Sequence, residues 1–122
     1  MIVLSLGLGS AFFTGCDRSP RTVSVTVEDY RFTPDRIHVK ATTPLLLSVY
    51  NAGREEHEFA SPILGYGANR SINASDGGSR SLPISLRPGQ SLTVLVAPPP
   101  GTYLYVCPRK GHHGMSGIII VE

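Results

Sequence analysis

The sequence is poor in cysteine and short of charge. It has two cysteines in 122 residues, Cys16 and Cys107, too few for the disulfide framework that staples a small secreted domain. Each therefore needs its own explanation. Lys and Arg number 11 against 9 Asp and Glu, an excess too slight to indicate a nucleic acid or other polyanion as partner. The sequence contains no Gly-rich phosphate loop, no His-Glu-x-x-His helix and no serine nucleophile elbow, so nucleotide-binding and hydrolase readings have nothing to rest on. It also lacks internal repeats and long helical periodicity after residue 17. A chain of this length holds one domain and has no room for a second core.

Charge is absent altogether before Asp17. The apolar segment 1–15 is shorter than the roughly 20 residues needed to span a bilayer as a helix, and it reads as the core of a signal peptide covering residues 1–16. Small residues precede Cys16 and an Arg-containing segment follows it at once. This arrangement resembles the bacterial lipobox, which implies lipidation at Cys16 and a mature protein beginning there. In that motif an Asp directly after the cysteine, here Asp17, implies retention at the inner membrane. A plain secretion signal and a buried N-terminal strand are the other readings of the segment.

From residue 17 onward the signals are those of strands. Val23, Val25 and Val27 alternate with Ser24, Thr26 and Glu28, and Leu92, Val94 and Val96 alternate with Thr93, Leu95 and Ala97, the period of half-buried strands. Ile37 and Val39 alternate with His38 and Lys40, which leaves His38 on a solvated face. Further strands are predicted over 45–50, 57–60, 82–86, 103–107 and 117–121, separated by clusters such as Arg87-Pro88-Gly89 and Pro98-Pro99-Pro100-Gly101. About eight short strands with turns between them indicate an all-β, antiparallel sandwich or barrel. Residues 64–80 show little periodicity and are predicted to form a long surface loop.

Chemistry concentrates between Cys107 and Met115, where a thiol, two imidazoles and a thioether fall within nine residues. Two His with one Cys and a weak axial Met describe a blue-copper electron-transfer site. The second His has to come from elsewhere, and His57 provides it at the start of a predicted strand. Taken singly, these residues have plainer readings. A free cysteine is ordinarily a buried structural thiol and a lone methionine ordinarily core filler, and Cys107 has Cys16 as an alternative disulfide partner. Glu55, Glu56 and Glu58, with Arg109 and Lys110, read as a solvated rim.

The order Tyr30-Arg31-Phe32-Thr33-Pro34, His57-Glu58-Phe59 after Asn51, Gly89-Gln90-Ser91, Gly101-Thr102-Tyr103 leading into Cys107, and Gly114-Met115-Ser116-Gly117 resembles the cupredoxins over nearly all of residues 22–122. The resemblance implies a Greek-key β-sandwich over 17–122 and one type 1 copper ion held by His57, Cys107, His112 and Met115. It selects His112 over His113 because four residues separate Cys from His in azurin-like loops and two separate His from Met in amicyanin-like loops. An exchange of His113 for His112 remains the alternative. The binuclear copper site of oxidases needs a second Cys four residues after the first, where this chain has Gly111.

The implied function is electron transport, with no catalytic residue and no enzyme activity, by a monomer in the periplasm or cell envelope. Its partners would be redox proteins such as a cytochrome, an oxidase or a reductase, and a lipid anchor would hold it to the inner membrane. The alternative is copper trafficking, storage or resistance on the same ligands. Tyr103 and Tyr105 are expected to pack around the thiolate. Val106 stands where plastocyanin has an outward aromatic, so electrons are expected to leave by an exposed edge of His112.

Overall fold

Alternating apolar residues build the larger sheet, as the periodicity requires. In the computed structural model, which describes residues 15, 19–40, 44–72 and 83–122, strand β1 spans Arg21–Glu28, β2 Arg31–Thr33, β3 Arg36–Val39, β4 Leu45–Asn51 and β5 His57–Phe59. A 3₁₀ turn over Pro62–Tyr66 follows, then β6 Gly67–Ile72, β7 Ile84–Leu86, β8 Ser91–Val96, β9 Gly101–Val106 and β10 Ser116–Val121. The five-stranded sheet runs in the order β2-β1-β4-β8-β6. Its register places Val25 beside Val49 and Val49 beside Leu92, and likewise Val23 beside Leu47 and Leu47 beside Val94. Rows of aliphatic side chains therefore cross three strands on the buried face. Fully burying each such side chain contributes about 1.5–3 kcal/mol.

The opposite layer is the three-stranded sheet β3-β10-β9, with a short β5-β7 pair beside it. An isolated bridge between Ala60 and Val106 ties β5 to β9. This matters for the site, because β5 begins with His57 and β9 ends just before Cys107. One step further along the same faces, Phe59 and Tyr105 pack with Phe32, their ring centroids 5.2–6.0 Å apart. The Tyr105 hydroxyl donates to the Pro34 carbonyl at 2.6 Å, and that of Tyr103 to the Pro99 carbonyl at 2.6 Å. These tyrosines thus bury their rings while satisfying their polar tips.

Two expectations need correction. The sandwich is mixed, not purely antiparallel, since β1 pairs parallel with β4 and β3 parallel with β10. The loop predicted over 64–80 is also shorter at its start. Ser61 caps the 3₁₀ turn, its Oγ accepting from the Ile63 N–H at 3.3 Å with Pro62 in the first turn, a start signal legible in Ser61-Pro62. Strand β6 then pairs with the free edge of β8 through backbone bonds, with a bulge between Ala68 and Arg70. Edge pairing of this kind needs no apolar alternation, which is why periodicity missed it. The rest of that stretch, residues 73–80, lies outside the described residues, as do Cys16 and all of the apolar leader except Gly15.

Candidate metal centre

Three donors meet at one end of the sandwich. His57 opens β5 and is fully buried; Cys107 follows β9 and His112 sits in the next turn, each 6% exposed. His57 Nδ1 lies 3.1 Å from His112 Nδ1, and Cys107 Sγ lies 3.6 Å from the same His112 nitrogen. All three donor atoms fall within 4.8 Å of one another.

The turn that carries His112 is fixed at both ends. The His112 N–H donates to the Arg109 carbonyl at 3.1 Å, and the Cys107 N–H to the Met115 carbonyl at 3.2 Å. Gly111 and Gly114 take φ of 89° and 80° on either side of the two histidines, a left-handed conformation that side chains other than glycine adopt at a cost. The outcome separates the neighbours. His112 is buried in the donor group, while His113 is exposed and lies outside it. Met115 is 2% exposed and closes the turn ahead of β10.

The outer nitrogens of both rings meet carboxylates. His57 Nε2 is 2.7 Å from Asp29 Oδ1, and His112 Nε2 is 2.9 Å from Glu55 Oε2. Asp29 also accepts from the backbone N–H groups of Arg54 at 2.9 Å and Glu55 at 3.4 Å. The Arg54 N–H and then the His57 ring hold the Asp29 carboxyl below its ordinary range. The Tyr30 hydroxyl donates to Glu55 Oε1 at 2.8 Å; with His112 it holds Glu55 below the usual range, and Glu55 in return pushes the Tyr30 hydroxyl up. Beneath this network Asn51, fully buried, donates from Nδ2 to the carbonyls of Glu55 and Leu86, each at 2.8 Å.

Glu55 is exposed, as a rim residue is, but the fold also turns one of its carboxylate oxygens onto His112. Glu56 does behave as rim, 3.4 Å from Arg109 with both side chains over a third exposed. Asp29 was missed entirely, and no local pattern marks it, because its partner lies 28 residues away. The expected electron exit at an exposed edge of His112 is also corrected: that edge is covered by Glu55 and by the Tyr30 ring, edge-on at 5.2 Å. His38 is solvated as expected, its side chain 55% exposed with Glu122 at 3.6 Å.

Two imidazole nitrogens and a thiol sulfur, with the buried Met115 closing the same turn, form a donor set suited to copper. With carboxylates at both Nε2 atoms, the two Nδ1 atoms are left to face each other and the sulfur. The Glu58 N–H donates to Cys107 Sγ at 3.3 Å, a bond that steadies negative charge on sulfur and tunes a bound metal. His57, Cys107, His112 and Met115 thus fit a type 1 copper site.

Known structures share the fold. Dithionite-reduced auracyanin from the photosynthetic bacterium Roseiflexus castenholzii is 19% identical over 85% of this chain and 98% of its own, with a TM-score of 0.59. Auracyanin A, described as a "blue" copper protein of the green thermophilic photosynthetic bacterium Chloroflexus aurantiacus, is 17% identical over 85% of this chain and 100% of its own, with a TM-score of 0.56. A multicopper oxidase is 14% identical over 86% of this chain and 46% of its own, with a TM-score of 0.60. No curated protein sequence matches. The model of the cupredoxin-like domain matches residues 2–121, and the chain belongs to that family.

Proposed function

We propose that this protein carries single electrons between redox proteins through a type 1 copper site, in the periplasm or at the outer face of the inner membrane. The convergence of His57 Nδ1, His112 Nδ1 and Cys107 Sγ in a buried pocket is the observation that carries this reading. Copper, when bound, supplies a one-electron couple whose potential the axial residue and the surroundings of the sulfur tune. The protein's task is to keep the donors still, because electron transfer is fast only when little has to move. His57 stands on a strand paired with β7, and Cys107 leaves a strand paired with β10. The turn between Cys107 and Met115 is closed by its own backbone bonds. Burial keeps water away from the donors.

With the His112 edge covered, the outward route runs over Tyr30. This ring is 53% exposed and stands edge-on to His112, so redox partners, a cytochrome, an oxidase or a reductase, dock there. The lipid anchor at Cys16 rests on the apolar leader and the small residues before that cysteine. The role is that of a carrier, not an enzyme, and a monomer suffices for it.

Copper(II) added to the metal-free protein should produce an intense visible charge-transfer band. Cys107→Ser should abolish the band while leaving the melting temperature of the metal-free protein close to that of the wild type. A band that survives the substitution, or no band in the wild type, would overturn the reading. Rapid loss of Cu(I) from the wild type to a chelator would point instead to copper delivery.

A further inference from the structure

Neither ring of the donor pair ends in solvent or on a neutral carbonyl; each ends on a carboxylate. An ionised carboxylate only accepts hydrogen bonds, so each Nε2 must carry the ring proton. Each Nδ1 is then left with a lone pair aimed into the pocket. Two such lone pairs 3.1 Å apart, with a sulfur 3.6 Å from one of them, repel unless a proton or a metal ion lies between them. The pocket is therefore arranged from outside, by groups that do not themselves reach the metal position.

We propose that Asp29 and Glu55 are positioning residues of the metal centre, which hold the Nε2 protons of His57 and His112 and, through their two negative charges, favour divalent over monovalent copper. The copper part of this proposal rests on the reading given above. The two carboxylates form one assembly. The turn after β1 supplies Asp29 and Tyr30, and the loop after β4 supplies the Arg54 and Glu55 N–H groups that Asp29 accepts. Tyr30 returns a hydrogen bond to Glu55, and Asn51 holds the Glu55 carbonyl. Partners of metal-bound imidazoles typically alter metal affinity about 10–100-fold when removed. The charge contribution acts in one direction, because an anion beside the ligands attracts the higher oxidation state more strongly.

Asp29→Asn and Glu55→Gln keep the shape and one acceptor oxygen and remove the charge; Asp29→Asn also forfeits the Arg54 N–H bond, whereas in Glu55→Gln the Tyr30 hydroxyl can accept instead of donate. In the full chain each should weaken Cu(II) binding about tenfold more than Cu(I) binding, measured by chelator competition, and so raise the reduction potential by about 59 mV per tenfold change in that ratio. Zn(II) affinity, which needs no redox chemistry, should fall about tenfold as well. Nitrogen NMR of the metal-free wild type should show a proton on Nε2 of both rings, with the His57 proton redistributed in Asp29→Ala and the His112 proton in Glu55→Ala. An unchanged Cu(II)-to-Cu(I) ratio in both isosteric variants, or a wild-type ring lacking its Nε2 proton, would overturn the proposal. If the wild type takes up no copper, the electron-carrier reading fails by itself, and Zn(II) affinity and the nitrogen spectra still decide the role of the carboxylates. If Asp29→Asn does not fold, Glu55→Gln carries the test, since that side chain is 48% exposed.

Discussion

The centre of the sandwich and its metal-bearing end are both buried, but different forces order them. At the centre, rows such as Val25, Val49 and Leu92 meet across β1, β4 and β8 with nothing polar between them. At the other end His57, Asn51 and His112 are buried polar groups, held by hydrogen bonds to carboxylates and carbonyls that arrive from separate loops. Hydrophobic burial is roughly proportional to area and tolerates small shifts of position, whereas a hydrogen bond weakens steeply with misalignment. The centre therefore supplies stability, and the end spends part of it on holding donors in place. Mutations should divide along the same line.

The sharpest division concerns the two adjacent histidines. His112→Ala should abolish the copper charge-transfer band, whereas His113→Ala, at an exposed position outside the donor group, should leave the band in place. Visible titration with Cu(II) checks both. On the other side of the line, Leu92→Ala on the interior strand β8 of the five-stranded sheet should cost about 2–5 kcal/mol of unfolding free energy. The band of the folded fraction should be unchanged, and denaturant unfolding followed by both probes would expose any coupling between the regions.

Asn51 lies on the boundary, ending β4 beneath the site. Asn51→Ala strips a buried donor from the Leu86 and Glu55 carbonyls and should cost about 1–3 kcal/mol, with a shift of the copper spectrum as Glu55 loses its anchor. A stability loss without any spectral change would show that the loop is held by other means.

The smallest effect is expected at Tyr105, where burial pushes the hydroxyl from 10.0 up to about 12. The folded protein holds this proton more tightly than the unfolded chain does. The stability that comes with it is complete below about pH 10 and is lost as the pH rises toward about 12. Tyr105→Phe should flatten the fall in melting temperature across that interval, at the modest cost of the bond to Pro34.

Strand positions were legible wherever one face is buried, because alternation repeats every two residues and needs no knowledge of the partner. Strands β4 and β8 follow that rule throughout in their burial, and β1 follows it from Thr22 onward. The three-residue β2 and the edge strand β6 did not, being too short or too polar to show a period. At the site, residue types and the spacing from Cys107 to Met115 pointed to a soft-donor metal centre, and His57 was found through its place at the start of a predicted strand. The carboxylates were out of reach. An aspartate in a turn and a glutamate in a charged loop look like ordinary solvated residues until their partners, 28 and 57 positions away, are brought to them.

The all-β class, the apolar faces of the principal strands and the kinds of donor atom that gather near the C-terminal end are properties of neighbouring residues, and a one-dimensional pattern carries them. That β1 runs parallel to β4 and that the outer edge of His112 is covered emerge only once the sheets are packed. The same packing brings Asp29 and Glu55 to the two imidazoles. Those features depend on the relative placement of distant loops, which the packing of the two sheets sets and no local pattern encodes.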